Sequence, residues 1–196
     1  MPTVDDAGSD RAGSIQMDTA FVAVFAALAA VMSFIAIPVE PVPITLQTLG
    51  VILAGVLLGP VRGFLAIALW IVVGLCGAQV FSGGTSGLGV LAGPTAGYLL
   101  SFPFAAALAG ALVPVFRRLF GGRSRAGAVF SAGLLGLMLS HVAGIAGLVL
   151  GQNMAVGEAI GVDLVFWPGD LAKNLLTALI AVAVFRAFPR IRSGLQ

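Results

Sequence analysis

Charge is what this sequence has least of. Only 9% of its 196 residues are Asp, Glu, Lys or Arg, against about 25% in an ordinary soluble domain. Eighteen charged side chains cannot cover the surface of a globule this size, which excludes a soluble enzyme and a disordered chain. Cysteine is nearly absent too. Cys76 stands alone, so no internal disulfide and no cysteine-built metal site can form, and its apolar flanks lead to the expectation of a small core residue. Lysine occurs once, at Lys173, and the other nine basic residues are Arg. The pI near 9.3 comes without a basic patch interleaved with aromatics, which argues against nucleic acid. No Gly-x-x-x-x-Gly-Lys-Ser/Thr is present, so the chain carries no recognisable ATPase of its own.

What remains is apolar: 59% hydrophobic residues and a mean hydropathy of +1.10. These values describe an all-α integral membrane protein. Six apolar stretches emerge, at roughly 18–37, 45–59, 61–79, 95–116, 127–150 and 169–188. They are continuously apolar rather than alternating, so helices are preferred over a barrel. The second closes at Gly59-Pro60, a turn that makes segments two and three a hairpin. The expected organisation is a flexible N-terminal tail over 1–16, one six-helix membrane domain over 17–190 and a C-terminal tail over 191–196. The chain opens acidic, and Thr19–Ile37 is long enough to span, so this stretch reads as retained rather than as a cleaved signal.

Arginine sets the expected orientation. Arg11, Arg62, Arg117, Arg118, Arg123, Arg125, Arg186, Arg190 and Arg192 all fall on one side of a six-helix arrangement. The 1–2, 3–4 and 5–6 connections hold no Arg or Lys, only the acids Glu40, Glu158 and Asp163. By the positive-inside rule, both termini are expected in the cytoplasm of a cell-membrane protein.

Segment six opens Trp167-Pro168-Gly169-Asp170-Leu171-Ala172-Lys173-Asn174. Proline suits a first helical turn, and Asp170 complements the positive end of the helix dipole. Lys173, three residues on, shares its face. Charges at this depth usually face a bundle interior or a wet cavity, so the pair reads as ligand-facing; an interfacial pair reaching for headgroups is the plainer reading. The 1–2 connection, Pro38-Val39-Glu40-Pro41-Val42-Pro43-Ile44-Thr45-Leu46-Gln47-Thr48, is stiffened by three prolines and ends in hydrogen-bonding groups. It fits either a rigid lid or a plain connector with a cap at Thr45. The 3–4 connection holds six glycines between Gly83 and Gly97, suited to non-helical backbone around a cavity. Its Gly84-Thr85-Ser86-Gly87 also matches the serine motif of rhomboid-type intramembrane proteases, with His141 as nominal base; a lone His on an apolar helix is more often a packing residue. In segment one, Ala23, Ala26, Ala27 and Ala30 form two overlapping Ala-x-x-x-Ala spacings, which serve packing within the bundle or docking of another membrane subunit.

Four stretches in register closely resemble the BioY family, the biotin-specific S components of energy-coupling factor transporters. They are Pro41–Thr48, Leu58-Gly59-Pro60-Val61-Arg62-Gly63, the Gly83–Tyr98 run with its Gly-Pro-Thr-x-Gly-Tyr close, and Trp167-Pro168-Gly169-Asp170-Leu171-x-Lys173. The resemblance spans about residues 18–188 and implies a six-helix biotin-binding subunit, with no enzymatic activity and no resident cofactor or metal. Implied partners are a transmembrane coupling subunit of the EcfT or BioN type, docking at the segment-one alanines, and cytoplasmic ATPases of the EcfA or BioM type that use the ATP. It puts Asp170 and Lys173 on the ligand, the carboxylate accepting both ureido N–H groups and the ammonium donating to the ureido oxygen. Trp70, Phe81, Tyr98 and Trp167 are then candidate walls. Thr85 or Ser86 is a candidate for the valerate carboxylate, and Thr45 and Gln47 for the mouth. A solitary vitamin carrier without an ATPase module is the alternative within the transporter class.

Overall fold

The structure is a computed structural model that describes residues 4–122 and 124–188, with side chains from Ile15 onward. Arg11 (as a side chain), Arg123, Arg190, Arg192, the C-terminal tail and residues 1–3 lie outside the described residues; the rest of the stretch expected as an N-terminal tail, 4–16, is helical and continuous with the first membrane segment. In chain order the elements are α1 (Val4–Phe34), β1 (Ala36–Ile37), β2 (Ile44–Thr45), α2 (Gln47–Leu58), α3 (Pro60–Leu75), α4 (Ala96–Leu119), α5 (Arg125–Gly151), α6 (Val156–Leu164) and α7 (Trp167–Ala187). Two short 3-10 turns, Ser82–Gly84 and Leu88–Ala92, break the glycine-rich connection.

Six of these helices coincide with the six apolar stretches. Four are long and apolar enough to cross a membrane: the Ile15–Phe34 part of α1, α4, α5 and α7. α2 and α3 are shorter, at 12 and 16 residues. Cys76, just past the end of α3, is exposed and not the core residue its apolar flanks suggested. The seventh helix, α6, was not expected; its nine residues fall in the connection between α5 and α7. Glu158 and Asp163 in it read as loop acids because nine residues are too few for a spanning pattern.

α2 is the axis of the bundle. From Leu49 to Leu58 every residue is buried, and α1, α3, α4, α5 and α7 all pack on it. A helix apolar all round has no face for solvent, and here neighbours cover every side of it, so it takes the centre. Close packing there depends on small residues. A side chain at Gly55 would run into the Ala106 backbone of α4, and one at Gly110 would meet the Gly55 carbonyl oxygen and the Gly59–Pro60 turn. The hairpin itself closes at Gly59, whose φ of 83° ends α2 while Pro60 starts α3. Glycine tolerates that left-handed φ, and proline's lost N–H is harmless at a first turn. Outward-facing residues such as Val31, Leu100, Phe104, Met138, Val142 and Leu179 are exposed and apolar, as a lipid-facing belt requires.

The arginine-bearing ends gather together. Arg62 at the α2–α3 turn pairs with Asp18 of α1 at 2.9 Å, both about two-fifths exposed. Arg117, Arg125 and Phe185 line one small recess at that same end, beside Gly110. The opposite end carries the lid and the glycine-rich connection. β1 and β2 clip the lid at its base, pairing Ala36 with Thr45 and Ile37 with Ile44, and the Leu46 N–H donates to the Ile35 carbonyl at 3.1 Å.

The crossing at Gly55 yields a test. Gly55→Leu is expected to lower the Tm of the detergent-solubilised protein by about 3–10 °C, since overpacking costs about 1–3 kcal/mol. Gly151→Leu, where an added side chain meets nothing within 4 Å, is expected to leave it unchanged. Equal thermal-shift results for the two variants would contradict this packing account.

Candidate ligand-binding site

Between the lid, the glycine-rich connection and the adjoining ends of α2, α4 and α7 lies a cavity of about 330 Å³. Its walls are mostly apolar: Val42 and Pro43 from the lid, Phe81, Val90 and Pro94 from the connection, Tyr98, Leu99 and Phe102 from α4, and Phe166 ahead of α7. One corner is polar. There Asp170 and Lys173, one turn apart on α7, form an ion pair with Nζ 2.6 Å from Oδ1. Their side chains are only 5% and 12% exposed, so the pair is turned inward and not toward headgroups. Thr48, in the first turn of α2, completes the corner. Its hydroxyl donates to Asp170 Oδ1 at 2.8 Å and accepts from Lys173 Nζ at 3.2 Å.

Sequence reasoning noted Thr48 as a polar group at the start of segment two but did not carry it to the pair. Its partner is 122 residues away in the chain, and no local spacing signals such a contact. The polar mouth is internally bonded. Thr45 Oγ1 donates to Gln47 Oε1 at 3.1 Å, and Gln47 Nε2 donates to Ser33 Oγ at 3.2 Å. Both residues line the cavity with their other surfaces.

The structure divides the expected site residues. Asp170, Lys173, Thr45, Gln47, Thr85, Phe81 and Tyr98 all border the cavity. Tyr98 offers only its ring; its hydroxyl turns away and donates to Asp163 at 2.9 Å. That ring fits because position 144 on α5 is glycine, and a side chain there would overlap it. Trp70 stands behind the wall, edge-on to Phe81 at 5.7 Å and stacked on Phe102 at 6.2 Å, with its indole N–H on the Val80 carbonyl at 3.0 Å. It supports the wall without facing the cavity. Trp167 likewise lies off the cavity, stacked on His141 and donating to Asp163 Oδ2 at 3.0 Å. Ser86 is half-buried in the connection and does not border the cavity either. Ser82 does, and its hydroxyl oxygen is buried without a partner among the described residues.

Two residues read as a packing histidine and a loop acid are buried and paired. His141 and Asp163 are 4% and 2% exposed, and His141 Nδ1 sits 2.7 Å from Asp163 Oδ1. His141 Nε2 lies 3.4 Å from Asp170 Oδ2. With a carboxylate at each ring nitrogen, His141 is not arranged as a base for Ser86, which removes the geometric ground for a serine protease. One signal was available: Asp163 is an acid embedded among Val162, Leu164, Val165 and Phe166. The four alanines of α1 also divide. Ala23 and Ala27 face outward, whereas Ala26 is 7% exposed within the core and Ala30 is half-buried.

Fold and cavity together define a helical membrane protein with a polar-cornered cavity suited to a small ligand. The BioY family model matches residues 8–190. Among similar proteins, a biotin transporter BioY from Rhodobacter capsulatus is 36% identical, with 89% of this chain and 96% of the relative covered. A probable biotin transporter BioY from Bacillus subtilis is 33% identical over 87% of this chain and 91% of the relative. A crystal structure of the S-component for biotin from an ECF-type ABC transporter superposes with a TM-score of 0.80 at 27% identity, covering 89% of this chain and 93% of that one. The chain belongs to the BioY family.

Proposed function

We infer that this chain binds biotin as the S component of an ECF-type transporter and acts in biotin uptake across the cell membrane. Membership of a family of transporter components supports this reading, as do relatives named as biotin transporters. The observation that carries it is the polar corner, where an acid, an amine and a hydroxyl from two helices meet at the end of an apolar cavity. Biotin's head is a cyclic urea with two N–H donors and one carbonyl oxygen.

Counting bonds refines the chemistry. A carboxylate has about four acceptor positions, and at Asp170 Thr48, Lys173 and the longer His141 contact take three. One remains for a ureido N–H. The Thr48 hydroxyl keeps one lone pair for the other N–H, and Lys173 keeps one proton for the ureido oxygen. In a low-dielectric corner each of these charge-assisted bonds is strong. Phe81, Tyr98 and Phe102 flank the bicyclic body, and Ser82 and Thr85 receive the valerate carboxylate.

The same reading takes all six apolar helices as membrane crossings, with both termini in the cytoplasm. At 1.5 Å per residue α2 and α3 measure about 18 and 24 Å, short of a hydrocarbon core of about 30 Å. The lid and the glycine-rich connection complete those crossings as non-helical backbone around the cavity, where such backbone is tolerated. Energy comes from a transmembrane coupling subunit and cytoplasmic ATPases, since no nucleotide motif is present in this chain. Ala23 and Ala27, facing outward on α1, offer the coupling subunit a surface for close helix approach.

Calorimetry on the solubilised protein tests the corner. Asp170→Asn and Lys173→Met are each expected to weaken biotin binding by about 100-fold or more, and Thr48→Val by about tenfold. Near-native affinity in the first two would contradict the assignment. For assembly, Ala27→Trp is expected to abolish co-purification with the coupling subunit while sparing biotin binding; a normal co-purification would place docking elsewhere.

A further inference from the structure

The ligand corner leaves one buried cluster without a role. His141 on α5 and Asp163 on α6 are almost fully buried, and neither borders the cavity. Asp163 is nevertheless heavily bonded. Its Oδ1 faces His141 Nδ1 at 2.7 Å and accepts the Tyr98 hydroxyl at 2.9 Å, while Oδ2 accepts the Trp167 indole N–H at 3.0 Å. The imidazole also lies flat on that indole, centroids 4.5 Å apart and planes 16° apart. Groups from α6 and α7 thus hold the ring in one orientation, and Tyr98 of α4 helps to fix Asp163. Its remaining nitrogen, Nε2, has no hydrogen bond of good geometry and is aimed at Asp170 Oδ2, 3.4 Å away.

The geometry points to His141 as a positioning residue, oriented by Asp163, that holds Asp170 at Oδ2 so that Oδ1 stays on Lys173 and Thr48 and the remaining Oδ2 position stays turned toward the ligand. The inference rests on Asp170 and Lys173 being the ligand-facing pair. A carboxylate held at only one oxygen can turn about its last side-chain bond; one held at both presents a fixed edge. Each ring nitrogen faces an acceptor, so the ring serves both carboxylates as donor only with a proton on each nitrogen. In that form Asp163, His141, Asp170 and Lys173 are two anions and two cations. Their sum is zero. A buried corner already balanced favours an uncharged head rich in N–H and C=O, such as a cyclic urea, over an ionised head that would add an uncompensated charge.

Two conservative variants separate positioning from simple packing. In His141→Gln the amide N–H lies where Nε2 was and still reaches Asp170; in His141→Asn it lies where Nδ1 was and reaches only Asp163. Both keep a polar group in the core, and size-exclusion profiles check that both fold. His141→Gln is expected to bind biotin within about threefold of the native protein, and His141→Asn about tenfold or more weaker. A ligand-free reading comes from acetylation of Lys173, the only lysine, followed by mass spectrometry. Lys173 is expected to label at the native rate in His141→Gln and at least about threefold faster in His141→Asn, because Asp170 no longer stays on the amine. If the native protein binds no biotin yet His141→Asn still accelerates labelling, the positioning role stands and the biotin reading falls. Equal labelling in both variants, or a rate in His141→Asn closer to native than in His141→Gln, overturns the positioning role.

Discussion

Four ionisable side chains from three helices touch one another in the interior of a chain that has only eighteen charged residues. Charges in an apolar interior persist only when paired and hydrogen-bonded, and removing one partner of such a pair costs about 3–5 kcal/mol. This demand organises the lid-side half of the molecule. It ties α7 to α2 through Thr48, α5 to α7 through His141, and α4 to the short α6 through Tyr98 and Asp163. It also leaves the cavity a polar end of fixed geometry against otherwise apolar walls.

The helical frame answers a different constraint. α2 is buried on every side, so its neighbours must come close, and Gly55 and Gly110 permit that approach. α2 and α3 are short, at 12 and 16 residues, and the extended and glycine-rich backbone beside them lines the cavity.

Much of this was legible in the sequence because it is written locally. Six helices follow from continuous apolar runs, the α2–α3 hairpin from Gly59-Pro60, and the inward ion pair from Asp170 and Lys173 standing one turn apart where basic residues are otherwise avoided. Failures share a cause as well. Thr48, His141 and Asp163 gain their meaning from partners on other helices, which no spacing encodes. Trp70 and Trp167 looked like cavity walls by neighbourhood, yet each puts its indole N–H on an interior acceptor, as a buried tryptophan must. Ser86 and Ser82 are four residues apart in one glycine-rich stretch, and only backbone turns decide which hydroxyl meets the cavity. Ala26 and Ala27 are adjacent, and the helix turns one of them inward.

The orientation of bound biotin is the most direct test of the account. An experimental structure of the complex should place the ureido ring in the corner, hydrogen-bonded to Asp170, Thr48 and Lys173, with the valerate chain running toward Ser82 and Thr85. Biotin bound in reverse, its carboxylate on Lys173 and its ureido ring at the glycine-rich connection, would contradict it.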